Sequence, residues 1–166
     1  AIDVIMFGNQ SVNKNFHLVK ILLVLLLIFL DQITKFYIEG NFTLYESLFI
    51  NNFFSITFVV NYGFAFGFLN NPDSNQIIIT LLLSIIILYI SSLMFTNKDK
   101  IISLSFMAIT AGAVGNVIDR VLRGYVVDFL DFNIFNYHWP AFNLADSYIS
   151  IGFIMIMISI VLGKKI

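Results

Sequence analysis

Four apolar segments constrain the fold of this chain more than any other feature of its sequence. A helix that spans a membrane needs roughly 20 mostly apolar residues, and the segments at about 18–38, 76–95, 101–122 and 145–162 each meet that requirement. The whole chain is 59% hydrophobic and 11% charged, whereas soluble domains are about 45–50% apolar and about 25% charged. The sequence therefore predicts an all-α membrane protein with four transmembrane helices.

The composition also excludes several classes of protein. With a net charge of −1, the chain has no basic excess to neutralise phosphates, so we expect no nucleic-acid partner. The absence of cysteine excludes disulfides, thiol catalysis and thiolate metal sites. The sequence contains neither an H-E-x-x-H pair nor a G-x-S-x-G motif, so neither a zinc peptidase nor a nucleophilic serine peptidase is indicated. We expect no metal and no organic cofactor.

The N-terminal residues differ from the rest of the chain. Residues 1–16 are polar and mixed without a hydrophobic period, and we interpret them as a tail or leader. Residues 17–166 are predicted to form a single four-span domain. Lys14 and Lys20 before the first apolar run also resemble the start of a secretory signal peptide, but no small-residue cleavage site follows and three further apolar segments come later.

The distribution of lysine predicts the orientation in the membrane. Positively charged residues in short loops favour the cytoplasmic side, and the tails and the loop between the second and third segments contain six lysines: Lys14, Lys20, Lys98, Lys100, Lys164 and Lys165. The other two loops, at about 39–75 and 123–144, contain one positively charged residue, Arg123. Both termini are therefore predicted to be cytoplasmic, with the two long loops on the extracytoplasmic side.

The two extracytoplasmic loops carry strand-like sequence. Residues 53–69 are rich in Phe, Val, Ile and Thr, which favour strands, while Asn61, Gly63 and Gly67 interrupt the run and indicate a bulge or a turn. Residues 125–135 form a second strand or an interfacial element. We predict a small extracytoplasmic sheet at the membrane interface.

Polar residues lie at the outer ends of the first and third apolar segments, where the cost of a charge is lower than at the centre of a span. A charge at the centre of a span costs at least about 2.5–3.5 kcal/mol on insertion scales. Asp31 and Lys35 are four residues apart and can pair on one helix face, either as a structural ion pair or as part of a site. The third segment has an aligned polar stripe at i, i+3, i+4 and i+7: Asn116, Asp119, Arg120 and Arg123.

The stripe on the third segment has two interpretations. It is either part of a functional site or an Asp–Arg pair whose long side chain reaches the interface. Gly112 and Gly115 lie near the same face and permit close approach of another helix.

Further carboxylates follow the third segment. Asp128 lies between Val127 and Phe129, which predicts a poorly hydrated carboxyl, whereas we interpret Asp131 as a solvated loop residue. Asn143 and Asp146 begin the fourth segment, where Asp146 is either an N-cap or a site residue. Because these aspartates come from separate segments and converge at one depth, carboxylate chemistry at the outer boundary is the predicted function. A small transporter and an assembly protein with structural carboxylates are the alternatives.

Five short motifs resemble, in order, those of the lipoprotein signal peptidase family, also called signal peptidase II. They are DQITK at 31–35, NYGFAFG at 61–67, GNVIDR at 115–120, VVDF at 126–129 and FNLAD at 142–146. The resemblance extends over about residues 17–163.

This resemblance implies a membrane aspartic endopeptidase of the bacterial inner membrane. Such an enzyme removes signal peptides from diacylglyceryl-modified prolipoproteins, cleaving N-terminal to the lipidated cysteine. The family fold implies four transmembrane helices, a small extracytoplasmic β-cradle and an extracytoplasmic helix or loop. It also implies inhibition by globomycin, and we expect a monomer surrounded by membrane lipid.

The resemblance also implies a set of site residues. Asp128 and Asp146 correspond to the catalytic pair, and the supporting or substrate-binding positions are Asp31, Lys35, Asn61, Gly63, Asn116, Asp119, Arg120 and Asn143. Peptide hydrolysis without a nucleophilic side chain needs an activated water, and two close carboxyls that share one proton can both accept and donate protons. Phe64, Phe66 and Phe68 are expected either to cover bound substrate or to anchor the loop in the membrane.

Overall fold

The computed structural model describes the backbone at residues 2–63, 76–134 and 137–164, and side chains from residue 15 onward within these ranges except at 137 and 138. This part of the chain contains four helices and four strands. In chain order they are α1 (Ile2–Asn41), β1 (Ser47–Asn51), β2 (Phe54–Asn61), α2 (Gln76–Thr96), α3 (Lys100–Arg123), β3 (Val126–Ile134), β4 (Tyr137–His138) and α4 (Leu144–Val161).

The four helices are long and apolar enough to cross a membrane, which confirms the predicted fold class. Their spanning portions are Asn15–Asn41, Gln76–Thr96, Lys100–Arg123 and Leu144–Val161. The boundaries at Asn41, Thr96, Lys100, Arg123, Leu144 and Val161 lie within about three residues of the predicted ones. Helix α1 begins at Ile2, so residues 2–16, which the sequence suggests are a tail or leader, form the first part of this helix. The described residues contain no further helix, and residues 64–75 lie outside them.

Helix α3 is the central helix of the bundle. Its most apolar window is 61% buried inside the protein, whereas the corresponding values for the other three helices are 11%, 17% and 22%. Small residues permit this packing, because a Cβ atom added to Gly112 would lie 2.2 Å from the carbonyl oxygen of Ala145 in α4. The predicted close approach at Gly112 is confirmed. The outward faces of α1, α2 and α4 are apolar, as contact with lipid requires.

The strands form one antiparallel sheet in the order β1-β2-β3-β4, which confirms the predicted sheet. Val127 and Phe129 of β3 pack with Phe58 of β2 against Ile38 near the end of α1. Because successive side chains of a strand point to opposite faces, Asp128 points away from this apolar cluster. The sheet thus directs one carboxyl of the predicted pair.

The register of the sheet defines the neighbour of Asp128. Asn61 pairs with Val126 and Val59 pairs with Asp128, after an irregularity between Ile56 and Val59. The bulge therefore precedes Asn61, and Asn61 instead begins a turn, because its Oδ1 accepts the backbone N–H of Gly63 at 2.9 Å.

Two lysines, Lys20 and Lys164, make contacts at the end of the bundle far from the sheet. Lys20 is buried, and its Nζ donates to the carbonyl oxygen of Met94 at 2.6 Å and to Ser103 Oγ at 2.9 Å. Asp99 caps α3 and forms an ion pair with Lys164 at 2.8 Å, which joins the loop between α2 and α3 to the end of α4. The sequence places Lys20 at the membrane edge and gives no sign of its burial.

Candidate active site

Asp128 lies on β3, and its carboxyl is bound by two side-chain amides. The residue is 2% exposed, and each of its carboxyl oxygens accepts one hydrogen bond. Asn61 Nδ2 donates to Oδ2 at 3.0 Å, and Asn143 Nδ2 donates to Oδ1 at 2.7 Å. The strand places the carboxyl, and two amides from different elements fix its plane.

Asp146 lies in the first turn of α4. Asn143 is the N-cap of this helix, since its Oδ1 accepts the backbone N–H of Asp146 at 2.9 Å. Asp146 Oδ2 in turn accepts the backbone N–H of Asn143 at 3.4 Å, which completes a capping box. The interpretation of Asp146 as an N-cap is therefore wrong, because Asp146 occupies the third helical position. Its Oδ1 accepts from Asn116 Nδ2 at 2.8 Å.

The two carboxyls are connected through Asn143 and line one cavity. This cavity has a volume of about 810 Å³ and also contains Asn61, Asn116 and Arg120 in its wall. The remainder of the wall is mostly apolar. Most of it comes from α4 and the segment before it, including Trp139, Phe142, Ile149, Phe153 and Ile154, and Leu83 of α2 and Ala113 of α3 also contribute. The wall thus combines a few polar groups with a larger apolar area, as is usual for binding sites in proteins.

Burial and the negative charge of Asp146 raise the pKa of Asp128 to about 7. The hydrogen bonds from Asn61 and Asn143 oppose this shift, because an amide donor favours the ionised carboxyl. Near neutral pH, Asp128 is therefore able to hold a proton that an ordinary aspartate would lose.

Lys35 connects the polar stripe of α3 with α1. Its side chain is fully buried and contacts Asp31 Oδ2 at 2.8 Å, Asp119 Oδ2 at 2.9 Å and Asn116 Oδ1 at 2.9 Å. The predicted pairing of Asp31 with Lys35 is confirmed. Because Lys35 holds the oxygen of the Asn116 amide, the nitrogen of that amide faces Asp146.

Asp31 also reaches the start of α4. Its Oδ1 accepts the backbone N–H of Ala145 at 2.9 Å, which is one residue before Asp146. A Cβ atom on Gly115 would lie 2.7 Å from Asp31 Oδ2, so this carboxyl needs a residue without a side chain opposite it. The ion pair is thus structural and at the same time in contact with the groups that hold Asp146.

Arg120 links α3 to the turn after β2. It is 7% exposed, and its guanidinium donates to the carbonyl oxygens of Asn116 and Gly63. The structure therefore brings Asn61, Gly63 and Arg120 together beside Asp128. Among the described residues, Asp119 makes no hydrogen bond with Asp128 itself. Its Oδ2 binds Lys35 and accepts the backbone N–H of Val127, the residue before Asp128, at 3.3 Å.

Two residues in this network, Gln32 and Glu39, have no role in the sequence-based prediction. Gln32 Nε2 lies within hydrogen-bond distance of Asp31 Oδ2, Asp119 Oδ1 and the carbonyl oxygen of Gly115, at 3.0–3.1 Å. Arg123 contacts Asp119 Oδ1 at 2.8 Å and Glu39 Oε2 at 2.8 Å. The position of Gln32 inside an apolar segment is the signal that identifies it, since an amide there needs partners.

Two other predictions have different outcomes. Asp131 lies on β3 rather than in a loop, and it accepts a hydrogen bond from Thr57 Oγ1 at 3.0 Å on the sheet. Phe64, Phe66 and Phe68 lie outside the described residues. Within the described residues, no group of three or more His, Asp or Glu side chains is arranged to hold a metal ion.

The fold and the site together define a helical membrane protein with two amide-held carboxyls at one end of its bundle. A family model described as signal peptidase (SPase) II matches residues 23–162. Two solved structures of bacterial membrane enzymes are similar to this chain. One is 34% identical, with a TM-score of 0.79 and coverage of 89% of this chain and 92% of the other. The second is 37% identical, with a TM-score of 0.69 and coverage of 86% and 92%.

Curated relatives agree with the family model. A lipoprotein signal peptidase of Alteromonas mediterranea is 43% identical over 133 residues, which are 78% of this chain and 72% of the relative. A lipoprotein signal peptidase of Francisella tularensis subsp. novicida is 38% identical over 149 residues, or 87% of this chain and 92% of the relative. The chain belongs to the signal peptidase II family and is an aspartic peptidase of the membrane. The resemblance of the sequence motifs is thereby confirmed.

Proposed function

We propose that this protein cleaves signal peptides from diacylglyceryl-modified prolipoproteins immediately N-terminal to the lipidated cysteine, with Asp128 and Asp146 as the catalytic pair. One observation carries the proposal. The two carboxyls come from a strand and a helix, both bind Asn143, and both line the same cavity.

The environments of the two carboxyls favour different roles. Asp128 holds a proton near neutral pH, so it donates this proton to the carbonyl oxygen of the scissile bond as the water attacks. Asp146 accepts a proton from the attacking water. Among the described residues, its Oδ2 makes only the 3.4 Å capping contact, which leaves this oxygen able to bind that water. The water oxygen bonds to the carbonyl carbon and gives a tetrahedral intermediate. When the C–N bond then breaks, Asp146 passes the proton taken from water to the leaving amine, and Asp128 recovers its proton from a hydroxyl of the intermediate, which becomes the new carboxyl.

The supporting residues act through these two carboxyls. Lys35 orients Asn116, which donates to Asp146, and Asp31 holds the backbone at Ala145. Arg120 holds the carbonyl of Gly63, and the N–H of Gly63 holds Asn61 against Asp128. Asp119 neutralises Lys35, and Asn143 bridges the pair. Six of the eight supporting positions thus bind one of the two carboxyls or a residue that binds one, whereas Asp31 and Asp119 act one contact further away, through Lys35.

We infer that the site end of the bundle faces the extracytoplasmic side of the bacterial inner membrane. Lys20 and Lys164 lie at the opposite end, together with the loop that carries Lys98 and Lys100, and lysine-rich loops favour the cytoplasm. The apolar wall of the cavity then lies at the depth of the outer-leaflet acyl chains. This is where the diacylglyceryl group of a substrate would be. No step requires a cofactor.

The test is cleavage of a diacylglyceryl-modified prolipoprotein by the purified protein in detergent. Wild type is compared with Asp128→Asn and Asp146→Asn, and Asp131→Asn is the matched control because it lies on the same strand but outside the cluster. We expect wild type and the control to cleave the lipidated precursor, the two dyad variants to lose activity, and the unlipidated precursor to remain uncut.

Other outcomes contradict parts of the proposal. Full activity in either dyad variant excludes that carboxyl from catalysis. Equal cleavage of the unlipidated precursor removes the lipid from recognition. If the protein instead has a structural role in assembly, Asp128→Glu is tolerated, whereas a catalytic carboxyl is displaced by the extra methylene and loses activity. Inhibition by globomycin and a monomeric state are further expectations from the family, and both are measurable in the same preparation.

A further inference from the structure

A second cavity lies beside Arg120, next to the one that contains the two carboxyls. Its volume is about 270 Å³, and its wall consists of Gln76, Ile77, Thr80, Leu81, Arg120 and Val121. Gln76 is the first residue of α2 and belongs to none of the sequence motifs. Its Nε2 donates to the backbone carbonyl of Tyr62 at 2.6 Å, so the start of α2 is tied to the turn that follows β2.

This turn is held at two successive carbonyl groups. Gln76 binds the carbonyl oxygen of Tyr62 and Arg120 binds that of Gly63. The N–H of Gly63 then donates to Asn61 Oδ1, and the nitrogen of the same Asn61 amide donates to Asp128. A continuous series of hydrogen bonds therefore runs from Gln76 to the carboxyl of Asp128.

The two side chains that bind the turn, Gln76 and Arg120, come from different helices. Arg120 is fixed from α3 by its bond to the carbonyl oxygen of Asn116, whereas Gln76 is the contact from α2. Gln76 Oε1 and Arg120 Nε are both buried and make no hydrogen bond within the described part of the chain. Gln76 is therefore held through its amide nitrogen, and the bond to Tyr62 is the contact that gives it a position.

We propose that Gln76 is a positioning residue, which fixes the turn at Tyr62 and Gly63 so that Asn61 orients the carboxyl of Asp128. The inference rests on the proposed function, because it assumes that Asp128 is catalytic. It assigns no direct contact between Gln76 and the substrate. Its consequence is that loss of the Gln76 amide lowers the rate of the chemical step rather than the affinity for substrate.

The experiment compares kcat and KM of Gln76→Met, Gln76→Glu and Thr80→Val on the lipidated precursor. Methionine keeps the length of the side chain without its donor, and glutamate keeps the shape but cannot donate to the Tyr62 carbonyl. Thr80 lies one turn along α2 and lines the same cavity, so Thr80→Val is the control for a change in packing. Thermal unfolding of each variant is measured in parallel.

For both Gln76 variants we expect kcat to fall about tenfold or more, towards the ~10²-fold that a 1 Å misplacement of a catalytic group costs. KM should stay within about twofold, as expected when an interaction acts on the transition state rather than on binding. Thr80→Val should match wild type. In an Asn61→Ala background, Gln76→Met should lower kcat by less than about twofold, because residues that act through one another are not additive.

The opposite results overturn the inference. Wild-type kcat in either folded Gln76 variant shows that the Tyr62 contact does not position the site. A full additional loss in the Asn61→Ala background shows that Gln76 does not act through Asn61. If neither Gln76 variant folds, Gln76 has a role in stability and not in positioning.

Asp128→Asn, assayed alongside, separates the two proposals. An active Asp128→Asn removes the proposed function and this inference with it. An inactive Asp128→Asn together with a fully active Gln76→Met removes the inference alone.

Discussion

The contact between α3 and α4 at Gly112 leads to a quantitative prediction for Gly112→Ala. The new Cβ would lie 2.2 Å from the carbonyl oxygen of Ala145 and 2.8 Å from Ile149 Cγ1. Both atoms belong to α4, and the first is a backbone atom that no rotamer change can move. The helices must therefore separate at this point for alanine to fit.

The size of the separation follows from the distance. Ordinary van der Waals contact of a Cβ begins at 3.4 Å, so α4 must move by about 1.2 Å relative to α3. Gly112 lies one turn before Asn116, and Ala145 directly precedes Asp146, so the movement falls on the 2.8 Å hydrogen bond between Asn116 and Asp146. A misplacement of about 1 Å can cost about 10²-fold in rate, and overpacking costs typically about 1–3 kcal/mol of stability.

The assay measures kcat for cleavage of the lipidated precursor and the Tm in detergent for Gly112→Ala and for Gly40→Ala. Gly40→Ala is the control, because Gly40 lies in α1 and a Cβ atom added there has no neighbour within 4 Å. We expect Gly112→Ala to lower both kcat and Tm, and Gly40→Ala to keep kcat and gain up to about 1 kcal/mol from helix propensity. Wild-type kcat and Tm in Gly112→Ala would refute the reasoning.

Three further predictions concern charge. Lys35→Met leaves the buried carboxylates of Asp31 and Asp119 without their partner and should destabilise the protein by about 3–5 kcal/mol, measured by thermal unfolding; an unchanged Tm contradicts this. Arg123→Met also removes a partner of Asp119, but this arginine is partly exposed, so the loss should be within about 1 kcal/mol and smaller at high salt; a loss equal to that of Lys35→Met contradicts it. Because the pKa of Asp128 is raised to about 7, this carboxyl loses its proton as the pH rises through that value, and kcat/KM should fall there; a pH–rate profile that is flat through this range contradicts the assignment of Asp128 as the acid.

The spanning helices are predictable from sequence because length and hydropathy are local properties. The third span is predicted at 101–122 and observed at Lys100–Arg123, between the N-cap Asp99 and the C-cap Gly124. Strand β1, at Ser47–Asn51, is not predicted. Its five residues are exposed, and the strand is stabilised by its pairing with β2. Because this stabilisation comes from another segment, the sequence of the five residues does not predict the strand.

The partners of polar side chains are less predictable than their presence. In the sequence, Lys20 lies at the membrane edge, where a positive charge indicates the orientation of the chain. In the structure Lys20 is buried, and it donates to the carbonyl oxygen of Met94, 74 residues away. Gln32 and Gln76 are uncharged amides, so they neither interrupt a span nor mark an orientation. Their roles depend on acceptors that the fold brings close, and the sequence shows only the donor.

In the folded protein, Asp31, Asp146 and Asn143 each make different contacts with two side-chain atoms. Asp31 forms a structural ion pair with one oxygen and holds the backbone of Ala145 with the other. Asp146 completes a capping box with one oxygen and receives the Asn116 amide with the other. Asn143 likewise caps α4 through Oδ1 and donates to Asp128 through Nδ2. Polar groups are costly at this depth, so each one serves the helix end and the carboxyl pair together. A test of catalysis on these residues therefore needs a measurement of stability beside it.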